Sequence, residues 1–195
     1  TLLMELDVFI HPTAVIDKGA QVGAGTKIWH FCHLMPGAIV GEGCNIGQNV
    51  FVDNGVKVGS RVKIQNNVSL YNGVTVEDDA FIGPSAVFTN VINPRSFIER
   101  KSEFKPTRIG RGTTIGANVT IICGINIGDY ALVGAGSVVT SDVKPFALVY
   151  GNPARQHGWV SKGGLKLNFN DEGNATCAFD GRTYTLKDGF VQQTL

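Results

Sequence analysis

Ile46-Gly47-Gln48-Asn49-Val50-Phe51-Val52-Asp53-Asn54-Gly55-Val56-Lys57-Val58-Gly59-Ser60-Arg61-Val62-Lys63-Ile64 carries a pattern that returns every six residues. Ile46, Val52, Val58 and Ile64 mark the beat, and Val50, Val56 and Val62 follow it at an offset of four. The beat reaches back unbroken to Ile10 and forward to Phe88, fourteen apolar residues in succession. It resumes at Ile109 and runs through Ile115, Ile121, Ile127 and Val133 to Val139. In a chain that is 43% hydrophobic, twenty such hits are not chance. A fixed short period is the signature of a solenoid.

The offset-four column is small or β-branched, from Ala14, Ala20 and Thr26 to Ala131, Ser137 and Val143. A small and a large inward side chain two residues apart suit a narrow β-prism interior. The position three past the beat is Gly, Asn or Asp in fourteen of twenty hexads. Those residues take positive φ at least cost, so each hexad ends in a corner. Three hexads then close one triangular coil, and residues eighteen apart stack at strand spacing. The expected fold is an all-β parallel helix of about seven coils, on the order of 33 Å tall. A sandwich of short strands would instead alternate with period two between irregular turns.

Net charge is +1 and no Lys/Arg cluster stands out, which argues against nucleic acid as a partner. No apolar run reaches membrane-spanning length, and Thr1-Leu2-Leu3-Met4-Glu5 lacks a signal-peptide pattern, so the expected location is the cytoplasm. The four cysteines show no C-x-x-C spacing. Cys32 and Cys44 fall in the inward column and are expected to be buried thiols. Cys123 falls at a corner and is expected to be exposed.

The beat fails once. Residues 94–108 carry five basic and two acidic side chains, and they must leave the coil at a corner. An excursion of that length in a solenoid tends to carry function. Asn90 borders it. Asn72 and Asn54 lie eighteen and thirty-six residues earlier, where Asn is explained by turn chemistry alone. The period ends near residue 155, so residues 1–155 read as one domain with the loop inserted. Residues 156–195 read as an extension, in which Leu165, Leu167, Phe169, Ala175, Cys177, Phe179, Tyr184 and Leu186 form a small β-meander.

Ile109 to Thr140, with its Val133-Gly-Ala-Gly-Ser-Val-Val-Thr140 run, and the closing Gly151-Asn-Pro-Ala-Arg155 resemble the coenzyme half of the hexapeptide-repeat acetyltransferases. The resemblance implies a left-handed parallel β-helix and acetyl-CoA as co-substrate, with no metal. It also implies homotrimers with sites between subunits. Ala117, Cys123, Ala135, Lys144, Pro153 and Arg155 would then line the coenzyme site. Small residues and free backbone N–H groups would hold the pantetheine arm, and Lys144 and Arg155 its phosphates. Ile28 to His33, Gln65 to Tyr71, Glu77 to Asn90 and Gly158-Trp159-Val160-Ser161 extend the likeness to nucleotide-sugar N-acetyltransferases acting on 3-amino sugars. It is nearest to those acetylating UDP-2-acetamido-3-amino-2,3-dideoxy-glucuronate for O-antigen and surface polysaccharide; dTDP-3-amino-3,6-dideoxyhexose enzymes are the alternative.

The implied reaction is attack of a neutral 3-amine on the thioester. None of the histidines, His11, His30, His33 and His157, falls between Val76 and Gly151. The expectation is therefore catalysis without a histidine base, Asn90 orienting the amine. Arg95 and Lys105 suit the diphosphate, His33 and Tyr71 the nucleotide or its sugar, and Glu77 a sugar hydroxyl. Two rivals use the same fold. A γ-carbonic-anhydrase-like zinc enzyme needs three converging histidines, and His11, His30 and His33 occupy different hexad positions. A non-catalytic β-helix module would not need the coenzyme motifs.

Overall fold

In a computed structural model, which describes residues 7–194, the six-residue beat folds as a triangular prism. Face 1 begins with Phe9–Ile10, face 2 with Val15–Ile16 and face 3 with Gln21–Val22. Each later strand pairs in parallel with the one a coil below, as Lys63–Ile64 does with Asn45–Ile46. The faces hold eight, seven and six parallel strands, which is seven coils and the first strand of an eighth, Ala147–Gly151. The fold is a left-handed parallel β-helix.

The beat residues are its axis. Ile28, Leu34, Ile46, Ile64, Leu70, Ile82, Ile109, Ile115, Ile121 and Ile127 are fully buried. Each such side chain contributes roughly 1.5–3 kcal/mol by leaving water. Polar members of the small column satisfy the backbone of the next coil. Thr26 Oγ1 donates to Gly41 O (2.7 Å) and Thr113 Oγ1 to Gly128 O (3.0 Å). The thiols of Cys32 and Cys44 make the same bond to Gly47 O and Gly59 O (3.0 and 3.1 Å), and burial pushes both up from the ordinary thiol pKa.

The corners are set by the coil more than by the residue. Phe31, Arg61, Ser85 and Tyr130 occupy the offset-three position and adopt φ of 57–59°, as Gly, Asn and Asp do elsewhere. The stacked ladder outweighs a left-handed penalty of roughly 1–2 kcal/mol at each.

Thr75 pairs with Arg108, thirty-three residues on instead of eighteen, so fifteen residues leave at the edge between faces 2 and 3. The excursion holds one 3₁₀ turn, Lys101–Glu103, clamped by an Arg100–Glu103 ion pair at 2.7 Å. At the C-terminal end, Ala154–Trp159 turns back antiparallel onto Ala147–Gly151. A three-stranded antiparallel sheet follows: Asn174–Thr176, Thr183–Lys187 and Phe190–Gln193. It covers a second core of Phe146, Leu167, Ala175, Cys177, Tyr184 and Val191. The meander therefore starts later than the alternation predicts. Leu167 and Phe169 pack into that core, and their segment makes only the single bridge Lys166–Val160.

No helix among the described residues is long and apolar enough to cross a membrane. Residues 1–6, on which the leader-peptide expectation rests, lie outside the described residues.

Candidate active site

Two edges of the prism carry the chemistry. On edge 1–2, between faces 1 and 2, the informative groups are backbone amides. At four other corners, one of them lower on this same edge, the N–H two residues past the beat is capped by the side chain one coil above. Ser60 Oγ caps Glu42 N (3.2 Å), Asn66 Oδ1 caps Gln48 N (2.9 Å), Asp78 Oδ1 caps Ser60 N (2.9 Å) and Asp129 Oδ1 caps Arg111 N (3.1 Å). Ala117 and Ala135 hold that same position, and the residue stacked above Ala117 is Ala135 itself. A methyl group cannot accept, so neither N–H finds an acceptor among the described residues. Gly116 keeps this ledge open: a Cβ there would lie 2.5 Å from Ala135 N. Two free donors, one coil apart on a strip of small residues, form a ledge for an extended amide-bearing ligand.

At the C-terminal end of the prism, a cleft of about 210 Å³ is lined by Ser141, Asp142, Lys144, Ala154, Arg155 and Gln156, with Val139, Val143 and Val149 beneath. Pro153 sits at the turn beside Ala154. Neither Lys144 nor Arg155 has a carboxylate partner among the described ion pairs, and Asp142 Oδ1 is taken by Asn126 N (2.8 Å). Lys144 and Arg155 thus share one anion-ready cleft.

Edge 2–3, between faces 2 and 3, carries Asn90 and the excursion. Asn72 Nδ2 donates to Asn54 O (2.7 Å), the turn bond expected of such a column. Asn90 is partly buried, and its backbone oxygen accepts from Lys105 N (3.0 Å). Its carboxamide makes no hydrogen bond among the described residues, which leaves it available to a ligand. Lys105 lines a cleft of about 420 Å³ with Gly73, Thr75, Arg108, Gly124 and Asn126. Arg95 lines a second of about 260 Å³ with Pro94, Ile98 and Phe104, its Nη1 bonded only to Pro94 O (3.1 Å). Below, Tyr71, Phe51 and His33 climb towards Asn90 with ring centroids 6.1 and 5.7 Å apart, and His33 Nε2 is 3.0 Å from Asp17 Oδ2.

One expectation fails. Cys123 stacks directly above Asn90 but is 3% exposed, so its thiol does not line an open surface of this prism. Its N–H donates to Thr89 Oγ1 (2.9 Å), and the returning limb of the excursion passes beside it, with Lys105 Cδ 3.2 Å from where a Gly124 Cβ would stand. Glu77, offered for a sugar hydroxyl, stands apart from Asn90. It lies on the third edge, where its Oε1 accepts from Arg108 Nε (3.2 Å) while Arg108 also reaches Asp129 (3.0 Å).

The family described as bacterial transferase hexapeptide (six repeats) matches residues 19–54 and 55–90. The hexapeptide repeat of succinyl-transferase matches 37–72 and 106–141, so no match covers residues 91–105, most of the excursion. A dTDP-3-amino-3,6-dideoxy-alpha-D-galactopyranose 3-N-acetyltransferase of Aneurinibacillus thermoaerophilus is 46% identical over 187 residues, 96% of this chain and 95% of its own. The chain belongs to the hexapeptide-repeat acyltransferases. Among solved structures, a variant of GDP-perosamine N-acetyltransferase from Caulobacter crescentus matches with TM-score 0.54 at 20% identity, over 77% of this chain and 56% of that one. The acetyltransferase domain of PglB from Neisseria gonorrhoeae gives 0.53 at 20%, over 78% and 58%. At that identity both speak to the fold.

In this hexapeptide acyltransferase His11, His30 and His33 do not converge on one point. His11 and His30 stack on edge 1–2 with centroids 3.5 Å apart, while His33 stands on face 2 against Asp17. Desolvation, then the nearby His30, lowers the His11 pKa. The small residues and free N–H groups expected at Ala117 and Ala135 are found there. Where an acceptor side chain stands at other corners, these two have none.

Proposed function

We propose that this enzyme transfers the acetyl group of acetyl-CoA to the 3-amino group of a dTDP-linked 3-amino-3,6-dideoxyhexose. One observation carries the reading: 46% identity across nearly the full length of both chains to an enzyme named for that reaction. The sequence motifs put a UDP-linked 3-amino uronate first and the dTDP-deoxyhexose second; the relative reverses that order.

In this reading the pantetheine arm lies on the edge 1–2 ledge, its oxygens facing the N–H groups of Ala117 and Ala135. Lys144 and Arg155 take coenzyme phosphate. Asn90 Oδ1 accepts an N–H of the substrate amine and so aims the nitrogen lone pair at the thioester carbon. The N–C bond forms, the oxyanion collapses, the C–S bond breaks, and the ammonium proton passes to the departing thiolate. A carboxamide is no base, so Asn90 orients and does not abstract. Arg95 and Lys105 suit the diphosphate.

Within one prism the two edges are a full face apart, so ledge and carboxamide do not meet. Face 2, between them, is the one suited to self-association. Its outward residues are Val15, His33, Phe51, Ser69, Val87, Thr120 and Val138, whereas face 1 presents Lys27 and Lys63, and face 3 Lys57 and Arg108. Val15 and Val87 are about half exposed. Three prisms with face 2 towards a common axis would set edge 1–2 of each beside edge 2–3 of the next. Each site would then draw on two subunits of a cytoplasmic homotrimer.

The test is thiol release from acetyl-CoA over a panel of dTDP- and UDP-linked 3-amino sugars. The dTDP-3-amino-3,6-dideoxyhexoses should lead in kcat/KM by at least about tenfold, the discrimination a few differential contacts supply. A UDP-linked 3-amino uronate in first place would overturn the assignment.

A further inference from the structure

The sheet at the C-terminal end has one contact that packing does not require. Thr183–Lys187 and Phe190–Gln193 are joined by Asp188-Gly189, with φ of 52° and 71°, the two-residue turn with positive φ at both central positions. The tip of this hairpin reaches Lys144, which lines the terminal cleft. Lys144 Nζ donates to Gly189 O at 3.0 Å and sits 4.6 Å from the centroid of the Phe190 ring. The hairpin is itself held down, because Tyr184 and Val191 lie in the second core with Phe146, and Tyr184 Oη accepts from Lys162 N (3.0 Å). A lysine on an exposed corner ordinarily sweeps many rotamers. Here its ammonium is fixed by two groups brought from forty-five residues further along the chain.

We infer that the C-terminal extension is part of the coenzyme site: Gly189 and Phe190 are positioning residues that hold the Lys144 ammonium at the terminal cleft to receive a coenzyme phosphate. The inference rests on the acetyl-CoA reading above. An ammonium has three donors. One is spent on Gly189 O, the ring takes the charge on one side, and the cleft shared with Arg155 remains for the ligand. The ordering cost of the lysine is then met by folding and not by binding.

The experiment is calorimetric titration of the full chain with CoA. Phe190→Ala should weaken CoA roughly 3- to 10-fold, the scale of a lost cation–π contact and its positioning. The same change in a Lys144→Ala background should add nothing. Phe190→Tyr should keep wild-type affinity, and Phe190→Leu, which keeps apolar bulk without a π face, should behave as Phe190→Ala does. Phe190 is about half exposed, so these variants should fold. Unchanged CoA affinity in Phe190→Ala, or an undiminished effect in the Lys144→Ala background, would overturn the inference alone. A wild-type chain that binds no CoA would overturn the acetyl-CoA reading and this inference with it.

Discussion

Replacing Ala135 with serine should give Ala117 N–H the acceptor it lacks. The geometry is already present in the molecule: Ser60 Oγ, in the equivalent place more than three coils lower on another edge, accepts from Glu42 N at 3.2 Å. A new bond of that kind is worth about 1 kcal/mol net. For a domain of this size, that raises Tm by about 2–4 °C. A coenzyme oxygen that uses the same N–H must first displace the hydroxyl, so the Kd for CoA should rise about fivefold. The two readouts move in opposite senses, which separates this effect from damage. Ala135→Gly, which leaves the N–H free, should leave Kd within about twofold of the wild-type value, as befits an exposed surface change. Differential scanning calorimetry and isothermal titration measure both quantities. A higher Tm with unchanged Kd would refute the claim that the coenzyme uses this donor. A raised Kd without a higher Tm would indicate crowding and refute it equally.

The His11 pKa is lowered by desolvation and by His30. Between the folded value and the unfolded value near 6.5, the unfolded chain holds more protons. This group's stabilisation is therefore present above the unfolded value and lost as pH falls through the window. Imidazole NMR titration should place His11 below 6.5, and His30→Ala should move it upward; a His11 titrating above 6.5 would contradict the stacking account. In the core, Ile64→Ala should cost about 2–5 kcal/mol in denaturant unfolding, because Ile64 is fully buried at mid-prism. Ile10→Ala should cost clearly less, because Ile10 is 41% exposed at the first coil. Equal costs would mean that the end coils are as closed as the middle.

The period made the prism legible, because a coil of eighteen residues leaves little freedom once its apolar positions are named. It even placed Phe31 and Tyr130 at corners that their own preferences disfavour. The excursion was legible as a break in that register. What the period could not express is lateral: it says which residues stack, not what lies beside them. Cys123 was therefore expected to be open, when the limb returning through Lys105 passes alongside. Nor does the period show that Glu77, on the third edge, is paired with Arg108. The Asp188-Gly189 turn is a strong local signal, yet nothing in its sequence points to Lys144.

If the ledge of Ala117 and Ala135 and the carboxamide of Asn90 act together only across two copies of the chain, a variant lacking one should complement a variant lacking the other. Asn90→Ala should lose about 10²-fold in kcat/KM through misorientation of the amine. Ala135→Trp, at an exposed position, should fold and block the ledge. Mixed in equal amounts and reassembled, the two inactive variants should regain activity. In a randomly mixed ring, about one site in four would combine an intact ledge from one subunit with an intact Asn90 from its neighbour. Recovery of roughly a quarter of wild-type activity is the predicted result. No recovery from fully mixed oligomers would place both groups in a single prism and contradict the account.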